Sequence, residues 1–269
     1  FSVAVGEKCA VYVTTDNFAG SLPSATDLCV GLGVTASSYN IYGISMNSNY
    51  IYFAVEEGVT GKVVRVDVSG WTSGSQAMTS SNAVELALTF PSGVTQGMYA
   101  VASSDGAKVV TVGENNGIYY CTDATSGTPT FSASVLYDSS GNVLNYDDTS
   151  SGFDFYSVAT GGAQQADTNG VLLEEFFAVG TSGALFKSWD SGQNFYQQSL
   201  DDLPWTASTN FKYHSLYAVN GGLLYLAGSD GKVYVTVNSG QDWYQDGAPS
   251  DGKLYTLGMY SNEIGVTID

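Results

Sequence analysis

Residues 177–195 read FAVGTSGALFKSWDSGQNF. Apolar residues run to Val179, Gly180–Gly183 turns the chain, and Ala184–Ser188 alternates again. A second turn then carries Asp190 and Gly192 and closes on Phe195. Period-two alternation on both sides of a glycine-containing turn predicts a β-hairpin. The same figure returns at Ala227–Trp243 (AGSDGKVYVTVNSGQDW), Val110–Gly127 (VTVGENNGIYYCTDATSG) and Val3–Gly20 (VAVGEKCAVYVTTDNFAG). The last two agree at seven of fourteen positions through Asp16 and Asp123. A weaker copy is Phe53–Trp71, FAVEEGVTGKVVRVDVSGW. A repeated β unit of this length predicts a propeller or a solenoid.

A short apolar, aromatic-rich strand precedes each hairpin: Ile41–Ser45, Met98–Ala102, Tyr156–Ala159, Ser215–Val219 and Leu254–Met259. A less regular segment follows it: Leu28–Leu32, Val84–Leu88, Thr130–Leu136, Phe195–Gln198 and Trp243–Gln245. The order is strand a, hairpin b–c, strand d, which is one four-stranded antiparallel blade per repeat. The turn residues Asp16, Asp67, Asp123, Asp190 and Asn238 are spaced by 51, 56, 67 and 48 residues, with no helical periodicity between them. The fold expected is a single all-β propeller over 1–269. Its blades fall near 1–40, 41–96, 97–152, 153–210 and 211–252, with a closing strand in 253–269.

The first repeat begins in strand b, and residues 253–260 supply a strand a with no blade after it. The C-terminal strand is therefore expected to complete the first blade and seal the ring, which removes exposed sheet edges. Residues 263–269 form an extra b-like strand that competes with residues 1–7 for one slot, so six blades remain the alternative to five. Insertions are expected at Tyr137–Gly152, Gly161–Gly170 and Asp201–Asn210.

The net charge of −18 arises from 26 acids against seven lysines and the single Arg65. Phosphate recognition needs several cationic contacts, so nucleic acid is excluded as a partner. No apolar run approaches the ~20 residues that span a bilayer as a helix. The electrostatic complement of such a chain is a basic partner surface or divalent cations. Three cysteines suit neither a zinc site nor a dense disulfide scaffold. Cys9 and Cys29 flank the first hairpin and are placed to pair outside the cytosol, whereas Cys121 reads as a buried thiol. There is no Asn-x-Ser/Thr sequon. The expected location is secreted, at the cell surface or in an organelle lumen.

Ser188–Phe195, SWDSGQNF, closely resembles the Asp-box or BNR repeat, Ser-x-Asp-x-Gly-x-x-Trp/Phe. Thr236–Trp243 matches with Thr236 for Ser and Asn238 for Asp, and keeps Gly240 and Trp243. Cys121–Phe131 keeps Asp123, Gly127 and an aromatic residue but has two extra residues, and the copies at Asp16 and Asp67 are degenerate. Phrases such as AVGTSGALF and VGENNGIYY are similar to the repeat of the photosystem II assembly-factor propellers. Sialidases, sortilin-type receptors and xyloglucan-cleaving glycosidases also carry Asp-boxes. The resemblance implies a structural role for Asp16, Asp123, Asp190, Gly192, Phe195, Asn238, Gly240 and Trp243, the carboxylate accepting backbone N–H bonds as in an Asx-turn. Calcium held by these turns is the alternative; no other cofactor is implied.

A sialidase grips its substrate carboxylate with three arginines, and Arg65 alone excludes that activity. His214 is the single histidine, and at the start of an inner strand it reads as packed or pore-lining. An inverting glycosidase needs two carboxyls about 6.5–9.5 Å apart. The adjacent pairs Glu56–Glu57, Asp147–Asp148, Glu174–Glu175 and Asp201–Asp202 are available for that role. In an antiparallel blade the b–c and d–a connections share one face, opposite the a–b and c–d turns. In register, the b–c turns place Glu7, Glu56, Glu114, Thr181 and Ser229 in one slot, with Glu57 and Asp230 beside them. Trp205 and Tyr213 lie on d–a connections of that face, where exposed rings stack on sugars or anchor a protein contact. The function expected is a non-catalytic binding or scaffold propeller for a basic protein partner. A glycan-active propeller, lectin or inverting hydrolase, is the alternative.

Overall fold

The computed structural model describes residues 2–5, 9–14, 26–32, 39–47, 49–71, 82–91, 95–103, 105–145, 152–198, 211–246, 254–261 and 264–268. Four antiparallel units follow one plan, each with its strands adjacent in chain order. They are β4 (Tyr39–Met46), β5 (Tyr50–Glu57), β6 (Thr60–Asp67) and β7 (Ala83–Leu88); then β8 (Met98–Ser103), β9 (Val109–Gly113), β10 (Ile118–Cys121) and β11 (Thr130–Ala133). Next come β13 (Phe155–Ala166), β14 (Leu172–Gly180), β15 (Leu185–Ser188) and β16 (Asn194–Gln197), and finally β17 (Tyr213–Ala218), β18 (Leu224–Gly228), β19 (Val233–Thr236) and β20 (Tyr244–Asp246). Before them stands a three-stranded sheet of β1 (Ser2–Val5), β2 (Ala10–Thr14) and β3 (Thr26–Asp27). The fold is an all-β propeller of antiparallel four-stranded blades.

The middle strands are apolar without a break because both of their faces are buried, as in any sheet covered on two sides. Phe176 and Ala178 pack toward Val110, Val112 and Ile118 of the preceding blade. Their neighbours Phe177 and Val179 pack the other way, against Tyr213, Leu224 and Trp243 of the next. Phe53 and Val55 likewise face Val11 and the cysteine pair, while Tyr52 and Ala54 face Met98 and Tyr119. The core is thus a series of slabs between blades. Each fully buried Phe or Val in such a slab contributes about 1.5–3 kcal/mol relative to exposure.

Outer edges are paired as well. β11 runs parallel to β7 through Thr130–Ala87 and Phe131–Leu88. A short β12 (Val135–Tyr137) leaves the third sheet and runs parallel to β16. Ser134 makes the bend, its Oγ donating to the Gly192 carbonyl at 2.6 Å. Segment Thr130–Leu136, expected as one strand, is therefore divided between two blades.

Other expectations need correction. Leu28–Leu32 is a helical turn, α1, and not a strand. Cys29 within it forms a disulfide with Cys9, the pairing allowed by the sequence. The insertion expected at Gly161–Gly170 lengthens a hairpin instead: β13 continues to Ala166 and pairs with β14, with register shifts at Thr160/Gly162 and Ala163/Gln165. The stretch after Tyr137 does hold a small hairpin, closed by the Tyr137–Val143 bridge. Residues 199–210, with Trp205, lie outside the described residues.

At the C-terminus β21 (Thr256–Ser261) packs against β17 as a further inner strand, as the sequence requires of strand a. It pairs with β22 (Ile264–Ile268) rather than with β1. β22 lies three residues downstream, so its loop closes with far less entropy than a pairing spanning the whole chain. β1 is the edge of its own sheet, so the expected completion of the first blade by the C-terminal strand is not seen among the described residues.

Candidate functional site

Two of the c–d turns are built bond for bond alike. Ser188 Oγ accepts the N–H of Gly192 at 3.0 Å and donates to Asp190 Oδ1 at 2.9 Å. Asp190 Oδ1 also accepts the Asn194 N–H at 2.9 Å, and Oδ2 accepts the Asn194 side-chain amide at 2.6 Å. In the next blade Thr236 Oγ1 accepts from Gly240 at 3.0 Å and donates to Asn238 Oδ1 at 2.9 Å. Asn238 Oδ1 accepts the Asp242 N–H at 3.0 Å, and Asn238 Nδ2 donates to Asp242 Oδ2 at 2.6 Å. Asp–Asn in one turn is Asn–Asp in the other, so the pair is exchanged and the bonds are kept. Gly192 and Gly240 take φ of 89° and 81°, and Phe195 and Trp243 are buried beneath.

These turns sit on the preceding blade. Lys187, buried and ion-paired to Glu175 at 3.0 Å, donates to the Ser239 carbonyl at 3.2 Å. Asp123 differs: it accepts the Cys121 thiol at 3.1 Å and the Ser126 hydroxyl at 3.4 Å, because two extra residues reshape its turn. Burial pushes that thiol up to about 12, and Asp123 adds to the effect. Cys121 is therefore protonated near neutrality and a poor nucleophile. Asp16 lies outside the described residues.

On the opposite face the acids are not equivalent. Glu114 accepts the Tyr99 hydroxyl at 2.6 Å and the Gly97 N–H at 3.1 Å. Glu57 is ion-paired to Lys62 at 2.6 Å, and Lys62 also meets Glu85 at 3.0 Å. Asp230 accepts the Tyr234 hydroxyl at 2.5 Å. Glu56 is half-buried in β5, and Glu7 lies outside the described residues. Tyr213 is not an exposed ring: it is 1% exposed, edge-on to Phe211 at 4.8 Å and packed on Tyr234. It is the first residue of β17, and the alternation of that strand turns it into the slab between blades.

The adjacent carboxylates available as an acid pair under the alternative reading are split where they lie on strands, since neighbours on a strand point to opposite faces. Glu174 and Glu175 are both buried in β14, and Glu175 is committed to Lys187. Asp147–Asp148 and Asp201–Asp202 lie outside the described residues.

What the structure brings together is a ring of aromatic side chains at the mouth of a central channel of about 550 Å³. Tyr42, Tyr99, Tyr156 and His214 occupy the same place in β4, β8, β13 and β17, and Tyr255 stands just before β21. Successive centroids are 5.6, 5.8, 5.7 and 4.8 Å apart. In each of the four strands the register shifts around this residue, between Ile41/Gly43, Met98/Ala100, Phe155/Ser157 and Tyr213/Ser215. A bulge adds one unpaired residue and re-aims its side chain. Here it turns four rings out of the slabs and toward the axis.

The residue after each ring is small because inner strands nearly touch. A Cβ on Gly43 would come within 2.7 Å of the Ala100 Cα. Serines staple those strands: Ser45 Oγ accepts the Ser103 N–H at 2.9 Å, and Ser157 Oγ accepts that of Leu216 at 3.1 Å. Tyr42 and Tyr255 are half-exposed, at 49% and 54%. Burial, then the bond to Glu114, holds the Tyr99 phenol well above its ordinary range, so it stays protonated and donates. Lys212 donates to the Tyr156 hydroxyl at 2.9 Å, and that bond raises its own pKa.

Sequence reasoning left His214 as packed or pore-lining and missed its four companions. The signal was present in IYGIS (41–45), MYAVA (98–102), FYSVA (155–159), YHSLY (213–217) and LYTLG (254–258), aligned on their second residue.

No protein-family model matches the chain, and no curated protein matches it. Solved structures share its fold. A chain of the nidogen–laminin complex is 11% identical with a TM-score of 0.56, over 99% of this chain and 84% of that one. The β-propeller domain of Cps50 (Swd1) from Myceliophteria thermophila is 12% identical with a TM-score of 0.53, over 81% of this chain and 58% of that one. YCF48 from Cyanidioschyzon merolae is 13% identical over 98% and 87%, with a TM-score of 0.44. Such identities speak to fold alone, and the last score carries no argument. None of the helices described is long and apolar enough to cross a membrane.

Proposed function

We propose that the chain is a non-catalytic binding propeller that takes a protein partner on the face bearing the channel mouth. The observation that carries this is the ring of Tyr42, Tyr99, Tyr156, His214 and Tyr255, four of them delivered to one place by a repeated bulge. Bulges are used where a side chain must be re-aimed for a task, and half-exposed Tyr is the side chain that anchors protein contacts at small entropic loss. The charge of −18 favours a partner with a basic surface. The c–d turns act in this reading as Asp-box struts that hold blades together, without a ligand of their own. The Cys9–Cys29 disulfide supports a location outside the cytosol, where such bonds persist.

The test is capture from an extract of the source organism on the immobilised chain, beside a Tyr42→Ala/Tyr255→Ala variant with an unchanged melting curve. A stoichiometric partner held by the parent and lost by the variant supports the reading. Equal capture by both overturns it. A second reading, stacking of a glycan on the same rings, is favoured by the exposure of Tyr42 and Tyr255. A glycan panel read against the same variant separates the two.

A further inference from the structure

The channel mouth already shows what its rings accept. The Lys212 ammonium lies 5.1 Å from the centroid of Tyr156 and bonds its hydroxyl. That cation, with His214 beyond it, takes up one arc of the ring. The other arc is Tyr42 and Tyr99, which meet edge to face at 5.6 Å. Carboxylates stand behind it, one of them, Asp154, shared with Lys212. Glu114 is bonded to the Tyr99 hydroxyl, and Asp154 and Glu56 act on the same phenol. Asp154 is anchored by the Asn115 N–H at 3.1 Å, and Glu114 by the Gly97 N–H, so neither is free to swing away. A phenol that gives its hydrogen bond to a carboxylate presents a more electron-rich ring face, and the face of an aromatic ring attracts cations. Below the ring the channel continues past Ile44 to Ser45, three residues or about 10 Å of strand. That depth receives an extended side chain.

We propose that the Tyr42–Tyr99 arc admits a cationic side chain, arginine or lysine, from the partner whose binding is inferred above. Its stem lies in the channel and its charge over the ring faces, with Glu56 and Glu114 as counter-ions. The proposal rests on that binding reading and adds the chemistry of the guest. It gives the acids of the b–c turns a use at this face although Glu57 is paired to Lys62 and Asp230 is bonded to Tyr234. Lys212 also sets where the guest cannot sit, since a second cation beside it is repelled.

The experiment uses the full chain and two blocked tripeptides, Gly-Arg-Gly and its citrulline counterpart, which has the same shape and no charge. Binding is followed by calorimetry and by tyrosine ring resonances, at low and at physiological salt. The arginine peptide is expected to bind saturably and the citrulline peptide about tenfold or more weaker. Tyr42→Leu is expected to lose about tenfold and Tyr42→Phe almost nothing, because the ring face is the contact. Glu56→Gln is expected to weaken binding and flatten its salt dependence. Tyr42 is half-exposed, so its variants test the idea even where Tyr99→Leu fails to fold. Equal binding of the two peptides, no saturable binding of the arginine peptide, or equal binding by Tyr42→Leu overturns the proposal. The binding-face reading fails separately, on capture that ignores Tyr42 and Tyr255. Capture that needs those rings without any preference for arginine leaves that reading standing and removes only the cation.

Discussion

Replacement of Asp190 by Ala removes the acceptor at the centre of a strut between blades, and the structure sets the size of the effect. Three donors converge on the carboxylate: the Ser188 hydroxyl, the Asn194 N–H and the Asn194 amide. The two side chains regain partners by rotating or by meeting water, since Asn194 is half-buried. The Asn194 backbone N–H has no such freedom. A backbone bond to a charged acceptor contributes about 1.5–3 kcal/mol, and partial exposure brings the expected loss to about 2 kcal/mol. For a chain of this size that lowers Tm by about 4–8 °C. The sister turn provides the control. Asn238 fills the same slot with an amide oxygen and keeps every bond, so Asp190→Asn is expected to lose under about 1 kcal/mol. The exchange Asp190→Asn/Asn194→Asp, which copies the Asn238–Asp242 pair, is expected to be close to neutral. Urea denaturation and thermal melts of the four proteins decide the matter. If Asn falls as far as Ala, the charge and not the accepting oxygen holds the turn, and the reasoning fails. The turn lies on the face opposite the channel mouth, so partner capture should not change in any of them.

Other outcomes follow from separate features. Reducing Cys9–Cys29, which closes a 20-residue separation, is expected to cost about 3 kcal/mol in the chain-entropy account, read from denaturation with and without reductant. Lys187→Met leaves the Glu175 carboxylate buried without its cation and is expected to lose about 3–5 kcal/mol; Lys187→Met/Glu175→Leu should recover most of it in a double-mutant cycle. Cys121, with its pKa pushed up by burial to about 12, should resist alkylation at neutral pH in the native protein and react once unfolded. Deletion of residues 253–269 removes Leu254 from its cluster with Tyr225 and Ala227 and Tyr255 from its place beside His214, so aggregation and loss of capture are expected together; a monomer with a native melt and full capture would refute this.

The fold was legible because its unit repeats, and repetition averages out local noise. Phe176, Phe177, Ala178 and Val179 read ambiguously as a short apolar run. Four further copies, each followed by a glycine-bearing turn, resolve them as the middle strand of a blade. Where the copies diverge the reading failed. Leu28–Leu32 was expected as a strand on analogy with Val84–Leu88, yet it is a helical turn carrying Cys29 into a cross-link. Gly161–Gly170 is expected as an insertion between strands. The shift between Thr160 and Gly162 absorbs Gly161, Gly162 pairs with Glu175, and the hairpin simply runs longer.

The site was hidden by the same bulges that create it. Strict alternation assigns Tyr99 and Tyr156 a side of the sheet from their neighbours Met98 and Phe155, which are core residues. One added residue per inner strand breaks that alternation, and neither composition nor hydropathy records it. Tyr213 shows the consequence: read as the exposed ring of its segment, it is buried, and His214 beside it takes the axial place. Charge misled in a similar way. Glu7, Glu56 and Glu114 share one slot of the repeat, but slot identity fixes only where the backbone goes. Glu114 is tied to Tyr99 because its own inner strand offers a tyrosine at the bulge, whereas the corresponding hairpin of the next blade has Thr181, whose hydroxyl accepts the Asp154 N–H at 2.9 Å. The repeat therefore makes the scaffold symmetric and leaves the mouth asymmetric, carboxylates behind Tyr99 and an ammonium on Tyr156. A symmetric acidic ring would hold any diffuse cation, whereas a polarised one would orient a guest of the kind proposed, and that difference is what the arginine and citrulline peptides measure.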